Sequence, residues 1–262
     1  MSVEQCRGWA WVAGASEGLG LAFAEELAAR GYATLLFARR KTLLEQHCAR
    51  LRTEYGLPCV AVVADLAEDS SALFKRCLDD YPPILGVYNA AYVPAGAFLD
   101  QPWSAHNTAL AVNISGPASW MFVLGHHMAR QGRGSLVLMS SLAGEQGAAG
   151  IATYAATKAF NTRLAEGLWE EFRAKGVRVL VTCAGAVSTP GYAKALSKAA
   201  VGTLTPQQVA QATLDRLTQP GGPRFIPGWT NYLGAWVLGR LLPRALAVRL
   251  MSRITRQLEA ET

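Results

Sequence analysis

The sequence predicts a single α/β domain built on a doubly wound parallel sheet of about seven strands, with helices on both faces. Short apolar runs alternate with helical patterns along most of the chain, which is typical of parallel strands joined by crossover helices. A glycine-rich turn follows the first apolar run. The 262 residues, 51% of them hydrophobic and 17% charged, suit one domain with a sizeable core.

The first half of the chain predicts four strands and three helices. Apolar runs indicate the strands Trp9–Ala13, Ala33–Ala38, Pro58–Ala64 and Ile84–Tyr88. Helical spacing indicates the helices Leu21–Arg30, Thr42–Tyr55 and Ser71–Tyr81. Because ligands bind parallel sheets beyond the carboxyl ends of the strands, the residues that follow each strand are candidates for a site.

The second half continues the alternation. Its predicted elements are a long helix Ser104–Arg130, the strand Ser135–Met139, a helix bearing Tyr154 and Lys158, the strand Val177–Thr182, the helix Pro206–Leu217 and a short strand Arg224–Pro227. We assign residues 1–228 to the main fold and residues 229–262 to a C-terminal extension of two helices separated at Pro243. The loop Ala186–Leu204 is interpreted either as a lid over the site or as a plain surface excursion.

Composition excludes several classes of protein. The net charge of +6 is mild, and no basic run with interleaved aromatic residues suggests nucleic acid. Five cysteines without CxxC spacing indicate reduced thiols in a cytoplasmic protein, not a disulfide frame or zinc site. We expect no signal peptide in residues 1–8 and no spanning helix, which needs roughly 18 consecutive apolar residues. No metal site is expected, because His47, His106, His126 and His127 are assigned to surface or core, away from the functional motifs.

The first turn has the composition of a phosphate-binding loop. Gly14, Gly18 and Gly20 stand between the first strand and the helical pattern that follows it. Glycine lets the backbone approach a ligand, and the order strand, turn, helix aims helix N-terminal amides at a phosphate. The alternative is a plain connection, since GxxxGxG is by itself a weak signal.

The end of the second strand favours NADP over NAD. In NAD-binding folds an acid at this position bonds the ribose 2′-hydroxyl, and in NADP-binding folds a basic residue binds the 2′-phosphate. In this chain Ala38 is followed by Arg39 and Arg40. Glu17, beside the glycine turn, opposes this preference because an acid repels a 2′-phosphate. The alternative for the arginines is a solvated basic cluster that opens the next helix.

Tyr154 and Lys158 are four residues apart, so a helix places them on one face, one turn apart. A nearby fixed positive charge favours phenolate and lowers the pKa of a phenol, which is normally about 10. Such a pair can move a proton at neutral pH. The alternative is a solvated helix face, which also arises at this spacing by chance.

Together these motifs resemble those of the short-chain dehydrogenase/reductase family, over residues 8 to about 228. The family's glycine motif matches Ala13–Gly20, its NNAG motif matches Tyr88–Ala91, and its helix asparagine matches Asn113. Its catalytic serine matches Ser141, its YxxxK pair matches Tyr154–Lys158, and its PG-x-x-x-T stretch matches Ala184–Thr189. Ala13, Ala91 and Ala184 replace the family's threonine, glycine and proline, and we interpret these departures as affecting local geometry and stability. The resemblance implies a single-domain Rossmann fold and a nicotinamide-dependent oxidoreductase.

The resemblance also implies roles for single residues. Tyr154 is the general acid/base, Ser141 hydrogen-bonds the substrate oxygen, Lys158 binds the nicotinamide ribose, and Asn113 holds a water that relays protons. Asp65 holds the adenine amino group. The implied cofactor-binding positions besides Tyr154 and Lys158 are Gly14, Ser16, Glu17, Gly18, Leu19, Gly20, Arg39, Arg40, Asp65, Leu66, Asn89, Ala90, Gly185, Val187 and Thr189. Three alternatives stay open: Ser141 as a strand cap, Asn113 as partner of a buried helix carbonyl, and Asp65 as a helix N-cap.

The implied activity is an NADPH-dependent carbonyl reductase, or an alcohol dehydrogenase in reverse. Its substrate is expected to be a hydrophobic ketone, 3-oxoacyl, steroid-like or polyketide-like compound. The alternative is a catalytically weak NADP-binding sensor or scaffold protein. The family usually pairs subunits through the two long helices that carry Asn113 and Tyr154, so a homodimer or homotetramer is expected by resemblance.

The C-terminal extension has an apolar face dotted with arginines. Six arginines and no acid occur from Arg224 to Arg256. Apolar residues recur at Trp229, Tyr232, Leu233, Trp236, Val237, Leu241, Leu242, Leu246, Leu250 and Ile254. This face is expected either to be buried over the substrate pocket or an oligomer interface, or to contact an anionic membrane surface.

Overall fold

The computed structural model describes residues 6–189 and 202–259. Its centre is a seven-stranded parallel sheet in the order β3-β2-β1-β4-β5-β6-β7. The strands are β1 (Trp9–Ala13), β2 (Ala33–Ala38), β3 (Cys59–Val63), β4 (Pro83–Tyr88), β5 (Gly134–Ser141), β6 (Val177–Ala184) and β7 (Arg224–Phe225). The order of strands reverses between β1 and β4, so their carboxyl ends flank the crevice in which such sheets bind ligands.

Helices cover both faces of the sheet, as the alternation of elements predicts. They are α1 (Gly18–Ala29), α2 (Lys41–Tyr55), α3 (Ser71–Asp80), α4 (Trp103–Leu110), α5 (Gly116–Gln131), α6 (Ala152–Arg173), α7 (Pro206–Thr218), α8 (Trp229–Arg240) and α9 (Arg244–Glu259). Successive strand residues point to opposite faces: Leu36 packs into one core cluster, and Leu35 and Phe37 pack into the other. Both clusters are apolar, which explains why the strands are largely apolar in sequence.

The long helix predicted over Ser104–Arg130 is interrupted. A π-helical turn, Ala111–Ser115, separates α4 from α5. The Tyr88 hydroxyl donates to the Val112 carbonyl inside this turn, at 2.7 Å. Gly116 leaves room for that hydroxyl, because a Cβ there would overlap it. The wider turn carries Asn113, which is fully buried.

Candidate active site

Four residues predicted to be catalytic lie together beyond the carboxyl end of β5. Ser141 ends that strand, Tyr154 and Lys158 lie in the first turns of α6, and Asn113 lies in the π-helical turn. The Ser141 hydroxyl lies close enough to Tyr154 to lower the pKa of the phenol, against the larger effect of burial. The Lys158 Nζ lies 5.5 Å from the centre of the Tyr154 ring. The strand β5 and the helix α6 therefore bring a hydroxyl, a phenol and an ammonium group to one place.

Lys158 is held by the strand beneath it. Its side chain is buried, and its Nζ donates to the Met139 carbonyl at 2.9 Å. Burial lowers the pKa of Lys158 to about 8, against an opposing effect of Cys183. The Ser140 hydroxyl donates to the Lys158 carbonyl at 2.7 Å and so fixes this turn of α6 against β5.

Burial also acts on Tyr154, in the opposite direction to the sequence-based expectation. It raises the pKa of the phenol, and the nearby Ser141 hydroxyl opposes that rise. The Lys158 ammonium group donates its hydrogen bond to the Met139 carbonyl, 2.9 Å away, and this bond holds it against strand β5. The phenol therefore keeps its proton at neutral pH, which is the form that a proton donor requires.

Asn113 connects two parts of the site. Its Oδ1 accepts from the Tyr92 amide at 2.8 Å, and its Nδ2 donates to the Tyr92 carbonyl at 2.8 Å. The same Nδ2 donates to the Thr157 hydroxyl at 3.1 Å, and that hydroxyl donates to the Tyr154 carbonyl at 2.8 Å. Its amide thus ties the loop after β4 to the turn that bears Tyr154. The alternative in which it pairs with a helix carbonyl is wrong.

Ser141 has a second, local contact. Its Oγ accepts from the Ala143 amide at 3.2 Å and caps the short 3₁₀ turn Leu142–Glu145. The strand-cap interpretation therefore holds alongside the contact with Tyr154. This cap fixes the direction in which the chain leaves β5.

The glycine turn lies where β1 meets α1. Gly14 has a positive φ of 82°, and its carbonyl accepts from Asn89 Nδ2 at 3.2 Å. The amides of Asn89 and Ala90 both donate to the Ala13 carbonyl at 3.0 Å. Backbone contacts thus join β1 to β4 at Ala13, where the family pattern has a threonine. The N-terminus of α1, with Gly18, Leu19 and Gly20, has no side-chain cap and no acid in its first turn, so its amides suit an anion.

Arg40 organises the basic end of β2. Its Nη2 lies 2.7 Å from the Ser16 hydroxyl and 3.0 Å from Glu17 Oε2. The acid that would repel a 2′-phosphate is therefore paired with a cation, and Arg39 lies exposed beside it. His47 Nε2 lies 3.1 Å from the Ser16 carbonyl, so its assignment away from the functional motifs is wrong.

The remaining predicted cofactor positions follow β3 and β6. Asp65 Oδ1 accepts from the Ala67 amide at 3.0 Å and so closes a turn that also contains Leu66. The alternative role of Asp65 as a helix N-cap is wrong, because the N-cap residue of α3 is Ser70. After β6, Val187 pairs with Leu204, and the Thr189 amide donates to the Val187 carbonyl. Residues 190–201, the centre of the predicted lid or surface loop, lie outside the described residues.

Gly185 packs against α8. A Cβ at Gly185 would lie 2.7 Å from Asn231 Oδ1, so glycine permits this close approach. Asn231 Nδ2 donates to the carbonyls of Gly202 and Pro227 at 3.0 Å each. One asparagine of the C-terminal extension therefore holds both ends of the loop that follows β6.

His106 is a contact residue that sequence reasoning missed. It is buried, its Nδ1 lies 2.8 Å from the hydroxyl of Thr153, next to Tyr154, and its Nε2 lies 3.0 Å from the Phe98 carbonyl. Its assignment away from the motifs is therefore also wrong. No local pattern signals this contact, because His106 and Thr153 are 47 residues apart.

The segment between Ser141 and Tyr154 is tied to the C-terminal part of the chain. Glu145 Oε1 lies 2.6 Å from Arg224 Nη2, and the Glu145 carbonyl accepts from Arg244 at 2.7 Å. Further along, the Ala149 backbone contacts two side chains of α9. The C-terminal helices thus support the segment that separates the serine from the tyrosine.

This fold and site define a dinucleotide-binding α/β oxidoreductase. The family model described as short chain dehydrogenase matches residues 8–200, and the chain belongs to that family.

Characterised relatives act on hydrophobic molecules, according to their names. The chain is 27% identical to the 7beta-hydroxysteroid dehydrogenase of Collinsella aerofaciens over 219 residues, 80% of this chain and 82% of the relative. It is 26% identical to the very-long-chain 3-oxoacyl-CoA reductase of Phaeosphaeria nodorum over 247 residues, 89% of this chain and 72% of the relative. Among solved structures, a short-chain dehydrogenase from Sphingobium yanoikuyae in complex with NADPH superimposes with a TM-score of 0.75 at 26% identity, covering 87% of this chain and 93% of that one.

Proposed function

We propose that this chain is an NADP(H)-dependent enzyme that interconverts a carbonyl and a secondary alcohol on a hydrophobic small molecule. The observation that carries this proposal is the position of the Tyr154 ring, whose centre lies 5.5 Å from the Nζ of the buried Lys158, with Ser141 at the end of strand β5. The similarity to hydroxysteroid and 3-oxoacyl-CoA enzymes supports a hydrophobic substrate.

The chemistry follows from the protonation states of the site. Bound NADPH supplies the hydride that the carbonyl carbon accepts. Tyr154, whose raised pKa keeps the phenol protonated, donates its proton to the substrate oxygen. Ser141 donates a hydrogen bond to the same oxygen and stabilises the negative charge that develops there. Asn113 and Thr157 hold the turn that positions the phenol.

The cofactor fits the residues at the carboxyl edge of β1 and β2. The uncapped amides of α1 suit its pyrophosphate. Arg39 and the Arg40–Glu17 pair suit a 2′-phosphate, because the net charge of the three side chains is positive. NADP(H) is therefore our preferred cofactor over NAD(H).

Replacing the phenol tests the reaction. Tyr154→Phe should lower turnover of a hydrophobic ketone by roughly 10²–10⁴-fold, because the proton donor is lost. NADPH affinity, followed by fluorescence titration, should persist. Tyr55→Phe, on α2, is the matched control, and absorbance at 340 nm is the measurement. Surviving turnover in Tyr154→Phe would show that the mechanism is wrong, whereas NADPH binding without turnover of any ketone by the wild-type protein would favour the sensor.

A second substitution tests the cofactor. Arg39→Ala should reduce the preference for NADPH over NADH about tenfold or more in kcat/KM, because a charge-assisted contact to phosphate is lost. Arg52→Ala, an exposed arginine of the same region of the chain, should leave the preference unchanged. An unchanged preference in Arg39→Ala would contradict the assignment of this residue to the 2′-phosphate.

We also propose a homo-oligomer in the cytoplasm. Phe122, on α5, is 61% exposed, which supports pairing of subunits through this helix. The cysteines of the described residues are free, and four of them, Cys48, Cys59, Cys77 and Cys183, are buried, which suits a reducing compartment. Sedimentation measurements on the full chain test the assembly.

A further inference from the structure

The two C-terminal helices expose apolar side chains in a helical pattern. On α8, Trp229, Tyr232, Leu233 and Trp236 are spaced i, i+3, i+4, i+7 and are 43–77% exposed. On α9, Leu246, Leu250 and Ile254 are spaced i, i+4, i+8 and are 40–50% exposed. We call these seven residues the outer face. Such a run of large apolar side chains is unusual on a water-exposed surface.

The inner side of the same helices is small and polar. Asn231 bonds two carbonyls, Ser252 Oγ accepts from the Ala149 amide at 2.9 Å, and the Thr255 hydroxyl donates to the Ala149 carbonyl at 2.7 Å. Ala235 and Ala247 are buried beside them. These specific contacts fix the rotation of each helix. The most exposed large apolar side chains of the two helices therefore lie on the side away from the protein, and Val237, Leu238, Val248 and Met251 are partly buried.

From Trp229 to Arg256, every charged residue of the two helices is an arginine. Arg240, Arg249 and Arg253 are exposed, and no aspartate or glutamate occurs between Arg224 and Arg256. Within the part of the chain that the structure describes, no carboxylate forms an ion pair with these three arginines. Their side chains remain available for an anionic partner.

We propose that the outer face and its arginines dock on the surface of an anionic lipid bilayer. Tryptophan, tyrosine and leucine beside arginine are the composition of helices that lie in a membrane interface. A second copy of the chain fits less well, because a two-fold interface would bring arginines against arginines without an acid between them. No helix within the described ranges has the length and hydropathy to cross a bilayer, so the contact is peripheral.

Docking would leave α8 and α9 between the lipid surface and the segments that flank the candidate site. The helix α8 contacts the loop after β6 through Asn231, and α9 holds Ala149, which lies between Ser141 and Tyr154 in the chain. A hydrophobic substrate could then pass from lipid to the site without crossing water. This consequence rests on the proposed function, whereas lipid binding itself does not.

Vesicle flotation of the full-length protein tests the proposal without any activity measurement. We expect flotation with vesicles of phosphatidylcholine and phosphatidylglycerol in low salt, weaker flotation in high salt, and none with phosphatidylcholine alone. Arg249→Gln with Arg253→Gln should lower the partition coefficient about 30-fold. Trp229→Ser with Leu250→Ser should also abolish flotation, because the apolar contact is lost.

Matched variants control for net charge and for exposed apolar area. Lys75→Gln with Arg76→Gln removes two exposed charges from α3, and Leu99→Ser with Val63→Ser removes two exposed apolar side chains elsewhere. Both control proteins should float like the wild type. Absence of flotation by the wild type, equal flotation with neutral vesicles, or equal losses in test and control variants would overturn the proposal. A wild-type oligomer that does not float and that Trp229→Ser with Leu250→Ser dissociates would assign the face to a second copy. Ketone reduction in the same wild-type preparation reports separately on the proposed function.

Discussion

Both the cluster of candidate site residues and the C-terminal helices reverse the usual placement of side chains, with different consequences. In the cluster, Asn113 and Lys158 are polar and buried, and each is hydrogen-bonded within the chain. On the C-terminal helices, apolar side chains such as Trp229 are exposed, and no residue in ranges 6–189 and 202–259 covers them. Buried polar groups are stable when their hydrogen bonds are complete. The hydrogen bonds of Asn113 therefore offset its burial within the chain, whereas the exposed apolar side chains favour contact with an external surface.

The largest effect on stability is expected when the hydrogen bonds of the buried Asn113 are removed. Asn113→Ala should reduce the free energy of unfolding by about 4 kcal/mol, because the Tyr92 amide, the Tyr92 carbonyl and the Thr157 hydroxyl lose their partner. Urea unfolding of the purified protein measures this change. A loss of stability this large would show that the amide supports the fold as well as the site.

Asn161 provides the matched control for that experiment. It is also buried, on α6, but its Oδ1 has no hydrogen-bond partner in the part of the chain that is described. Asn161→Ala should therefore cost clearly less than Asn113→Ala. Equal costs for the two substitutions would mean that burial, and not the contacts with Tyr92, determines the effect.

The next effect concerns the buried ammonium group. The pKa of Lys158 is about 8 in the folded chain and about 10.4 in an unfolded chain, so between these pH values the unfolded state binds more protons. Burial of the charge thus destabilises the fold below pH 8, and this cost is relieved as the pH rises toward 10.4. Relative to Lys158→Met, the wild-type protein should gain roughly 3 kcal/mol of stability across this window.

Urea unfolding of the two nucleotide-free proteins at several pH values measures that difference. Comparison with Lys158→Met removes the contributions of the other titrating groups, which both proteins share. Stability profiles that stay parallel from pH 8 to 10.4 would contradict a lowered pKa for Lys158, and would mean that contacts in the candidate site offset the burial of its charge.

The sequence predicts correctly those parts of the fold that depend on residues close together in the chain. Strands β1 and β2 have the predicted bounds, Trp9–Ala13 and Ala33–Ala38, because each is a largely apolar run closed by a glycine or arginines. The motif residues Ser141 and Tyr154 also lie together as predicted, since both follow from strand and helix positions at one edge of a parallel sheet. Their chemical roles stay predictions.

The sequence does not predict contacts between segments that are far apart in the chain. The π-helical turn depends on Tyr88, in another element, donating to the Val112 carbonyl. The contacts of His47 with Ser16 and of His106 with Thr153 likewise join residues 31 and 47 positions apart. No spacing rule within one element encodes pairs of this kind.

The orientation of the C-terminal helices shows the same limit more sharply. Periodicity predicts that α8 and α9 each have an apolar face, and the usual rule turns that face inward. The structure turns it outward, because Asn231, Ser252 and Thr255 make their hydrogen bonds on the inner side. A pattern of hydrophobicity identifies a face but not the surface that it meets.

The smallest effect is expected where the outer face is altered in the absence of lipid. Trp229 is 77% exposed, so Trp229→Ser should change the free energy of unfolding by no more than about 0.5 kcal/mol. Trp120, which is fully buried in the core, is the contrasting residue, and Trp120→Ala should cost about 3–5 kcal/mol. Urea unfolding in vesicle-free buffer measures both. A loss above 2 kcal/mol in Trp229→Ser would mean that this indole packs inside the free protein, and the contrast between the hydrogen-bonded Asn113 and an exposed outer face would fail.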